Sequence, residues 1–275
     1  MLSLTVLCDN STIIDSYLLG EPGLSFWIEC GDKQWLFDTG YSDVFIRNAG
    51  ILNIDITKMD GLVYSHGHND HTWGTHDLVR LFDRTGMKTK PSLIAHPQVF
   101  ENKHHGQNVI GTMMKADALS CFFDVKLTSE PAELAEGLTW LGEIPEIITA
   151  RKAVGNIVSS DGESEDFCMD DSALVYESKD GLVIITGCSH SGICNIAEHA
   201  RNVTGEKRVA DIVGGLHLLS CETSRLRETS DYLKSIGIRE MHPCHCTDFA
   251  AKAALSQEFS IKECGVGVRL EYEQG

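Results

Sequence analysis

The segment GLVYSHGHNDHTWG, residues 61–74, constrains the fold of this chain most strongly, because an apolar strand there ends on three histidines and an aspartate. A strand inside a hydrophobic core would not carry these side chains, since each buried imidazole or carboxylate needs a polar partner. His66 and His68 are two residues apart, so both can face one point from an extended segment. Asp70 and His71, just beyond the turn, can reach a second point. The pattern therefore predicts a binding site at a strand end.

The donor types in this segment are those that divalent transition ions take in proteins. Zinc and similar ions bind imidazole nitrogen and carboxylate oxygen at about 2.0–2.2 Å. Two such ions about 3.5–4 Å apart need several more ligands than this segment offers, and the others must come from later strand ends. A histidine-rich surface turn is the alternative interpretation. The ordered set of four donors directly after an apolar strand argues against it.

Short apolar runs bounded by turn residues predict strands in both halves of the chain. Each half starts with strands and continues with alternating helix and strand. Five segments predict helices: 42–53, where the helix stops at Gly50, 74–86, where it is closed by Gly86, 191–205, 222–237 and 247–257. Strands such as LVIIT and DIVGG are apolar on both faces, so each sheet must be covered. We therefore predict a four-layer αββα sandwich of the α/β (α+β) class, with two sheets face to face and helices outside.

Residues 97–170 lack a clean hydrophobic period. The run DGESEDFCMDD, residues 161–171, places six acids in eleven positions and predicts a solvated loop. No linker rich in Pro, Ser or Gly divides the chain. We expect a single domain over residues 1–275, in which residues 97–170 form a variable wall of the substrate site.

Composition narrows the partners and the compartment. Forty acidic against twenty-three basic residues give a net charge of −17, which argues against nonspecific binding to nucleic acid or to anionic membranes. A small-molecule substrate, including a phosphorylated one, is compatible with this charge, because its site depends on local donors. The start MLSLTVLCDNST predicts a first strand instead of a signal peptide. Ten cysteines without a leader predict reduced thiols and a cytoplasmic protein.

Several motifs together resemble the metallo-β-lactamase fold superfamily. HGHNDH follows GLVYS, and FDTG, which carries Asp38, precedes both. In the second half, TGCSHSG, GGLHL and PCHCT are similar to the superfamily-II metal-dependent hydrolase branch, which is related to dihydropterin-ribofuranosylaminobenzene-phosphate synthase. The resemblance covers most of residues 1–95 and 171–275. It implies a metallo-β-lactamase fold and a dinuclear metal site.

Carried over by position, the resemblance implies a ligand for most of the histidine segment. His66 and His68 would bind one metal ion, and Asp70 and His71 would bind the other. His245 in PCHCT matches the last ligand of the superfamily.

The resemblance also implies roles for residues outside this segment. Asp38 would orient the cluster through hydrogen bonds without binding metal. Many relatives carry a bridging aspartate within TGD, where this chain has Cys188, followed two residues later by His190. The candidate ligands here are therefore the Cys188 thiolate and His190, and we favour His190.

Two further histidines lie at predicted strand ends. His217 in GGLHLL is a candidate to contact substrate or to act as a general acid, and His96 in IAHP is an alternative ligand. The segment TGCSHSGICN leads from a strand into a helix, whose free backbone N–H groups can accept phosphate or carboxylate. A tight turn that needs its glycines for geometry alone explains that segment equally well.

The function expected from these residues is that of a metal-dependent hydrolase. A metal-activated water would attack an ester, a phosphoester or a related centre, with Asp70 orienting the water and His217 protonating the leaving group. Two divalent ions per chain are expected, zinc first, with manganese, iron or magnesium as alternatives. The alternative functions are a transferase that displaces diphosphate from a pterin-methyl group and a non-catalytic metal-binding sensor.

Overall fold

The N-terminal half folds into a seven-stranded sheet in which antiparallel strands lead into parallel ones. The computed structural model describes residues 1–160, 162–238 and 240–275. In spatial order the strands are β18 (Arg269–Tyr272), β1 (Leu2–Cys8), β2 (Ser25–Cys30), β3 (Lys33–Phe37), β4 (Gly61–Val63), β5 (Ser92–Ala95) and β8 (Asp124–Leu127). Strands β18, β1, β2 and β3 pair antiparallel, whereas β3, β4, β5 and β8 pair parallel.

The C-terminal half repeats this arrangement in a second seven-stranded sheet. Its strands, in spatial order, are β17 (Ser260–Ile261), β16 (Glu240–Pro243), β15 (Val209–Gly214), β14 (Gly181–Thr186), β13 (Ala173–Ser178), β10 (Leu138–Trp140) and β9 (Ala132–Ala135). Strands β13 and β14 form an antiparallel hairpin in which Ser178 pairs with Gly181. From β14 to β17 the pairing is parallel.

Seven α-helices connect these strands. They are α1 (Val44–Ile51), α2 (Asn69–Thr72), α3 (Thr75–Thr85), α4 (Ala116–Leu119), α5 (Ile193–Thr204), α6 (Thr223–Ser235) and α7 (Phe249–Leu255), counted over the described residues. Helix α3 ends at Gly86, which takes the left-handed conformation that favours glycine there, with φ of 66°. Helix α1 continues past Gly50, where the sequence predicted its end, because the Leu52 N–H still bonds the Asn48 carbonyl. No described helix is long and apolar enough to cross a bilayer.

The predicted four-layer sandwich is confirmed by the way the buried residues cluster. Phe26 and Phe37 of the first sheet share one cluster with Trp140 and Ile185 of the second, so the two sheets pack face to face. A second cluster lies between the first sheet and helices α1 and α3. A third lies between the second sheet and helices α5, α6 and α7. Helices thus cover the outer face of each sheet.

Residues 97–170 contribute a third, smaller sheet that the sequence did not predict. Its strands, in spatial order, are β12 (Gly162–Glu165), β11 (Asn156–Ser159), β6 (Asn102–His105) and β7 (Asn108–Val109). The remaining helical segments are short 3₁₀ turns at Ile56–Lys58 and Pro97–Phe100.

The prediction of a solvated loop over residues 161–171 is wrong for the second part of that run. Residues 162–165 are exposed, but Asp166, Asp170 and Asp171 are buried. The physical reason is Lys103, whose buried Nζ lies 2.6 Å from Asp170 Oδ1 and 3.0 Å from Asp166 Oδ2. A buried carboxylate is tolerated when a cation and hydrogen bonds compensate for lost hydration. Asp161, at the start of the run, lies outside the described residues.

Candidate metal centre

The candidate ligands lie in loops that follow parallel strands, at one edge of the two sheets. Parallel strands direct their carboxyl ends to the same edge, which is where such sheets place their sites. Asp38 follows β3, and residues 66–71 follow β4. Cys188 and His190 follow β14, His217 follows β15, and His245 follows β16. Side chains of both sheets meet there, because His71 Nε2 lies 3.2 Å from His245 Nε2.

Three histidines form the first group of converging donors, which we call the imidazole triad: His66, His68 and His190. His66 Nε2 lies 3.0 Å from His68 Nδ1 and 3.2 Å from His190 Nε2. All three side chains are buried. The structure thus places His190 beside the two histidines to which the sequence assigned the first metal ion.

Four residues form the second group, which we call the mixed group: Asp70, His71, Cys188 and His245. His71 Nε2 lies at its centre, 3.3 Å from Cys188 Sγ and 3.7 Å from Asp70 Oδ2. Asp70 Oδ2 is also 3.4 Å from His245 Nε2. The group therefore offers carboxylate, imidazole and thiol donors within reach of one point.

Cys188 and His190 are brought to the site together, although the sequence treated them as alternatives. His190 belongs to the imidazole triad, while Cys188 belongs to the mixed group. Cys188 Sγ also converges with ring nitrogens of His190 and His217 in a further set of possible donors. The thiol therefore lies between the two groups.

Asp38 fixes the orientation of the His71 ring through a contact with its Nδ1 atom. Its Oδ2 lies 2.7 Å from His71 Nδ1 and accepts the Ser65 hydroxyl at 2.6 Å, while its Oδ1 accepts the Ser65 N–H at 2.7 Å. Gly187 allows this packing, because a Cβ at that position would lie 2.1 Å from Ser65 Oγ. The Nε2 of His71 is left free to face the mixed group, which is how carboxylates orient metal-binding histidines.

Three of the site residues take a backbone conformation that L-residues avoid. The φ angles are 58° for Asp38, 50° for His217 and 52° for His245, and each residue follows a parallel strand closely. Non-glycine residues in this region cost about 1–3 kcal/mol each and concentrate at functional sites. Strained backbone at these three residues is consistent with side chains that are oriented for function and not for packing.

Burial keeps the imidazole triad neutral. It lowers the pKa of His66 and of His190 well below the ordinary value, and neighbouring imidazoles lower both further. Burial, followed by the charge of Lys103, lowers the pKa of His68 to about 4. Neutral imidazole is the form that binds a metal ion, so these side chains are ready to do so near pH 7.

In the mixed group, unlike the triad, neighbouring charges outweigh the effect of burial on the pKa values of His71 and Asp70. Burial alone would lower the pKa of His71, but Asp70 and Asp38 outweigh it and raise the pKa to about 9. For Asp70, burial raises the pKa, whereas His71 and His245 outweigh it and lower the pKa overall. The carboxylate of Asp70 is therefore ionised at neutral pH.

His217 lies at this site, whereas His96 does not reach it. The His217 ring centroid is 4.3 Å from that of His190, and the residue is half-buried at the rim. His96 accepts the Gln98 N–H and places its Nε2 3.1 Å from Glu143 Oε2. Among the described residues His96 is in none of the donor groups.

The sequence analysis missed the residues that fix the ligand loops from outside. Asp170 Oδ2 accepts the N–H of Gly67, between the first two histidines, at 2.7 Å. Asp171 Oδ2 accepts the N–H of Ser191, next to His190, at 2.9 Å. The sequence shows where these aspartates are but not what they bind. The cation that makes the burial of Asp170 possible is a lysine 67 positions earlier in the chain.

Comparison with known proteins shows what this chain is similar to. Residues 18–104 match the model of the metallo-β-lactamase superfamily. A 7,8-dihydropterin-6-methyl-4-(β-D-ribofuranosyl)-aminobenzene-5′-phosphate synthase of Methanocaldococcus jannaschii is 27% identical, with 92% of this chain and 90% of that protein covered. An uncharacterized protein of the same organism is 29% identical, with 92% and 93% covered.

A solved structure extends the match to the whole fold. The crystal structure of Tm1679, a metal-dependent hydrolase of the β-lactamase superfamily, has a TM-score of 0.85 and 28% sequence identity, and the match covers 99% of this chain and 100% of that chain. The histidine segment lies inside the matched region, and the two sheets with their outer helices follow the same architecture. The chain has the metallo-β-lactamase fold, and its residues 18–104 match the model of the metallo-β-lactamase superfamily.

Proposed function

We propose that this chain is a metal-dependent hydrolase that binds one divalent ion in the imidazole triad and one in the mixed group. The observation that carries the proposal is the packing of ring nitrogen against ring nitrogen in the triad. His66 Nε2 faces both His68 Nδ1 and His190 Nε2, at 3.0 and 3.2 Å. The Nε2 atom of a neutral imidazole offers either one N–H or one lone pair, so His66 makes one good hydrogen bond there and not two, whereas a cation among the three nitrogens satisfies all of them.

The distances and the donor types support this assignment. Donors at about 2.0–2.2 Å from a single ion lie roughly 3–4 Å apart, and the ligand atoms of each group lie within 4.8 Å of one another. Imidazole, thiol and carboxylate donors together suit zinc, with manganese or iron as the next choices. Burial raises the pKa of the Cys188 thiol well above its usual value, and a bound cation would oppose that shift.

The chain's own residues have distinct roles in the proposed reaction. When bound, the divalent ions supply Lewis acidity and lower the pKa of a water ligand to near neutrality. Asp70, ionised and partly open to solvent, orients the attacking water and takes up its proton. His217, at the rim beside His190, protonates the leaving group of a small-molecule ester or phosphoester. Asp38 keeps the His71 ring in register.

A second candidate function is favoured by one observation, the 27% identity to a synthase over 92% of this chain. In that function the chain transfers a pterin-methyl group to an acceptor and releases diphosphate, with the same donors binding the diphosphate through the metal ions. Water would then be excluded from the reaction instead of being activated.

An assay on metal-loaded protein separates the two. The substrates are 4-nitrophenyl phosphodiesters, phosphomonoesters and carboxylic esters, and the variants are Asp70→Asn and His217→Gln. Loss of a group in acid–base chemistry costs about 10²–10⁴-fold in rate, so both variants should lose that much kcat/KM. Asp83→Asn, at an exposed aspartate on helix α3 outside the donor groups, is the matched control and should keep the wild-type rate. No hydrolysis by the wild type, together with diphosphate release from a pterin-methyl diphosphate, would favour the second function.

A further inference from the structure

A cavity of 420 Å³ opens directly beside the imidazole triad. Its walls are the loop at residues 148–152, the start of helix α5 and the first turns of helix α6. His190 lies in its lining and also belongs to the triad, so the cavity and the metal centre share one side chain. A molecule that reacts at the metal centre can therefore extend into this cavity.

The start of helix α5 gives the cavity a positive end. Gly192 precedes the helix with φ of 90°, and no side chain caps it. Ile193 and Cys194, whose N–H groups have no partner within the helix, lie in the cavity lining. Unsatisfied N–H groups at a helix start carry about half a positive elementary charge.

Two cationic side chains line the same cavity, Lys152 and Arg225. In the described part of the chain, no carboxylate lies within the 4.0 Å ion-pair distance of either. Arg225 acts on Cys194 at the helix start: burial raises the pKa of that thiol to about 11, and the guanidinium opposes the shift. A cation at the positive end of a helix is unfavourable unless an anion lies between them.

His190, in the cavity lining, has a buried ring nitrogen without a partner in the part of the chain that the structure describes. His190 is 5% exposed, and its Nδ1 has no hydrogen-bond partner in the described residues, whereas its Nε2 faces His66. Metal-binding histidines usually donate this second N–H to an acceptor. An anion in the cavity would supply that acceptor.

The wall formed by the loop at residues 148–152 is held in place by hydrogen bonds within the chain. Buried Asn195 Oδ1 accepts three consecutive backbone N–H groups of the loop, from Ile147, Ile148 and Thr149, at 3.0, 2.7 and 3.1 Å. Its Nδ2 donates to the Thr149 carbonyl at 2.7 Å. This loop belongs to residues 97–170, which we expected to form the substrate wall.

We propose that this cavity binds a phosphate or carboxylate group of the substrate, held by Lys152, Arg225 and the first N–H groups of helix α5, while the reacting bond lies at the metal centre. The proposal rests on the proposed function and narrows its substrates to small molecules with a second anionic group. Glu222 and Glu228 also line the cavity, and both are exposed, as is Lys152, so solvent and salt screen these three charges. Half-buried Arg225 and the helix N–H groups are therefore the main anion-binding groups.

Calorimetric titration of the metal-loaded chain with inorganic sulfate tests the cavity directly. Sulfate has the shape and charge of phosphate but is a weak ligand for divalent ions, so the metal centre contributes little. The variant is Lys152→Gln with Arg225→Gln. The matched control is Lys88→Gln with Arg227→Gln, which removes the same charge from exposed positions outside the cavity lining.

We expect the cavity variant to bind sulfate about tenfold more weakly than wild type and control, because charge-assisted hydrogen bonds are among the stronger ones. Acetate, titrated in the same way, shows whether a carboxylate is accepted as well. Equal sulfate binding by all three proteins would overturn the proposal. This outcome is independent of hydrolysis: an inactive protein that binds sulfate through these residues would refute the proposed function and leave the cavity assignment standing.

Discussion

Replacing Lys103 with methionine tests whether this lysine is what allows Asp166 and Asp170 to be buried beside the site. The lysine side chain is fully buried, and its Nζ lies 2.6 Å from Asp170 Oδ1 and 3.0 Å from Asp166 Oδ2. Methionine preserves most of the apolar stem but removes the charge. Two buried carboxylates are then left without a cation.

The expected loss follows from what remains bonded. Removing one partner of a buried ion pair costs about 3–5 kcal/mol, because the remaining charge is left uncompensated. Asp170 keeps its bond from the Gly67 N–H at 2.7 Å, and Asp166 keeps its bond from the Cys168 N–H at 2.8 Å. We therefore expect Lys103→Met to lower the free energy of unfolding by about 3 kcal/mol. Asp166→Asn retains the shorter ion pair and should cost about 1 kcal/mol.

The pH dependence has a definite sign. Burial raises the pKa of Asp170, but Lys103 outweighs it, so the pKa in the folded protein is lowered. A folded pKa below the unfolded one stabilises the protein above the unfolded pKa of about 3.9, and this stabilisation is lost as the pH falls through the folded pKa. In Lys103→Met the largest effect that lowers the pKa of Asp170 is lost, while burial and the Gly67 N–H bond remain, so Asp170 takes up a proton at higher pH than in the wild type. The stability gap between wild type and variant should narrow from about pH 7 to about pH 4.

Urea unfolding followed by circular dichroism at several pH values measures this gap. Lys126→Met on strand β8, at an exposed lysine, is the matched control and should stay within about 0.5 kcal/mol of wild type. A loss below about 1 kcal/mol for Lys103→Met at neutral pH would refute the reasoning. So would a gap that widens as the pH falls.

Three further variants probe the site and its surroundings. Asp38→Asn weakens the contact with His71 Nδ1 and should lower metal affinity about 10–100-fold in competition with a chromogenic chelator; unchanged affinity would contradict the orienting role. Asn195→Leu leaves three backbone N–H groups of the loop without their acceptor and should cost about 3 kcal/mol, seen as a lower Tm, whereas a wild-type Tm would contradict the bracing of the cavity wall. His96→Gln should keep the wild-type metal content, because His96 bonds Gln98 and Glu143; loss of one ion per chain would show that it is a ligand.

The two-sheet framework was predictable from the sequence because its signals are local. Apolar runs with flanking turn residues mark the hairpins, and Gly86 marks the end of helix α3. The third sheet was not predictable, since its strands pair across long separations, such as Asn156 with His104. The burial of Asp170 depends likewise on a lysine far away in sequence. Without knowledge of that lysine's position, a segment rich in acidic residues is predicted to be exposed to solvent.

For the site, adjacency in sequence decided what could be predicted. His66, His68, Asp70 and His71 lie within six positions, so their convergence follows from strand-end geometry. The sequence analysis treated Cys188 and His190 as alternatives, because nothing local shows that one faces the mixed group and the other the triad. The structure separates them by the turn after β14, which aims the two side chains at different groups. The cavity beside His190 needed the packing of helices α5 and α6, which no local pattern reveals.

Metal content per chain is the most direct test of the central claim. Inductively coupled plasma mass spectrometry would compare the wild type with His66→Ala, which removes a donor of the triad, and with His245→Ala, which removes one of the mixed group. His105→Gln serves as the control. We predict two ions per chain in the wild type and the control, and the loss of about one ion in each alanine variant. One ion or none in the wild type, or alanine variants that keep both ions, would contradict the dinuclear site.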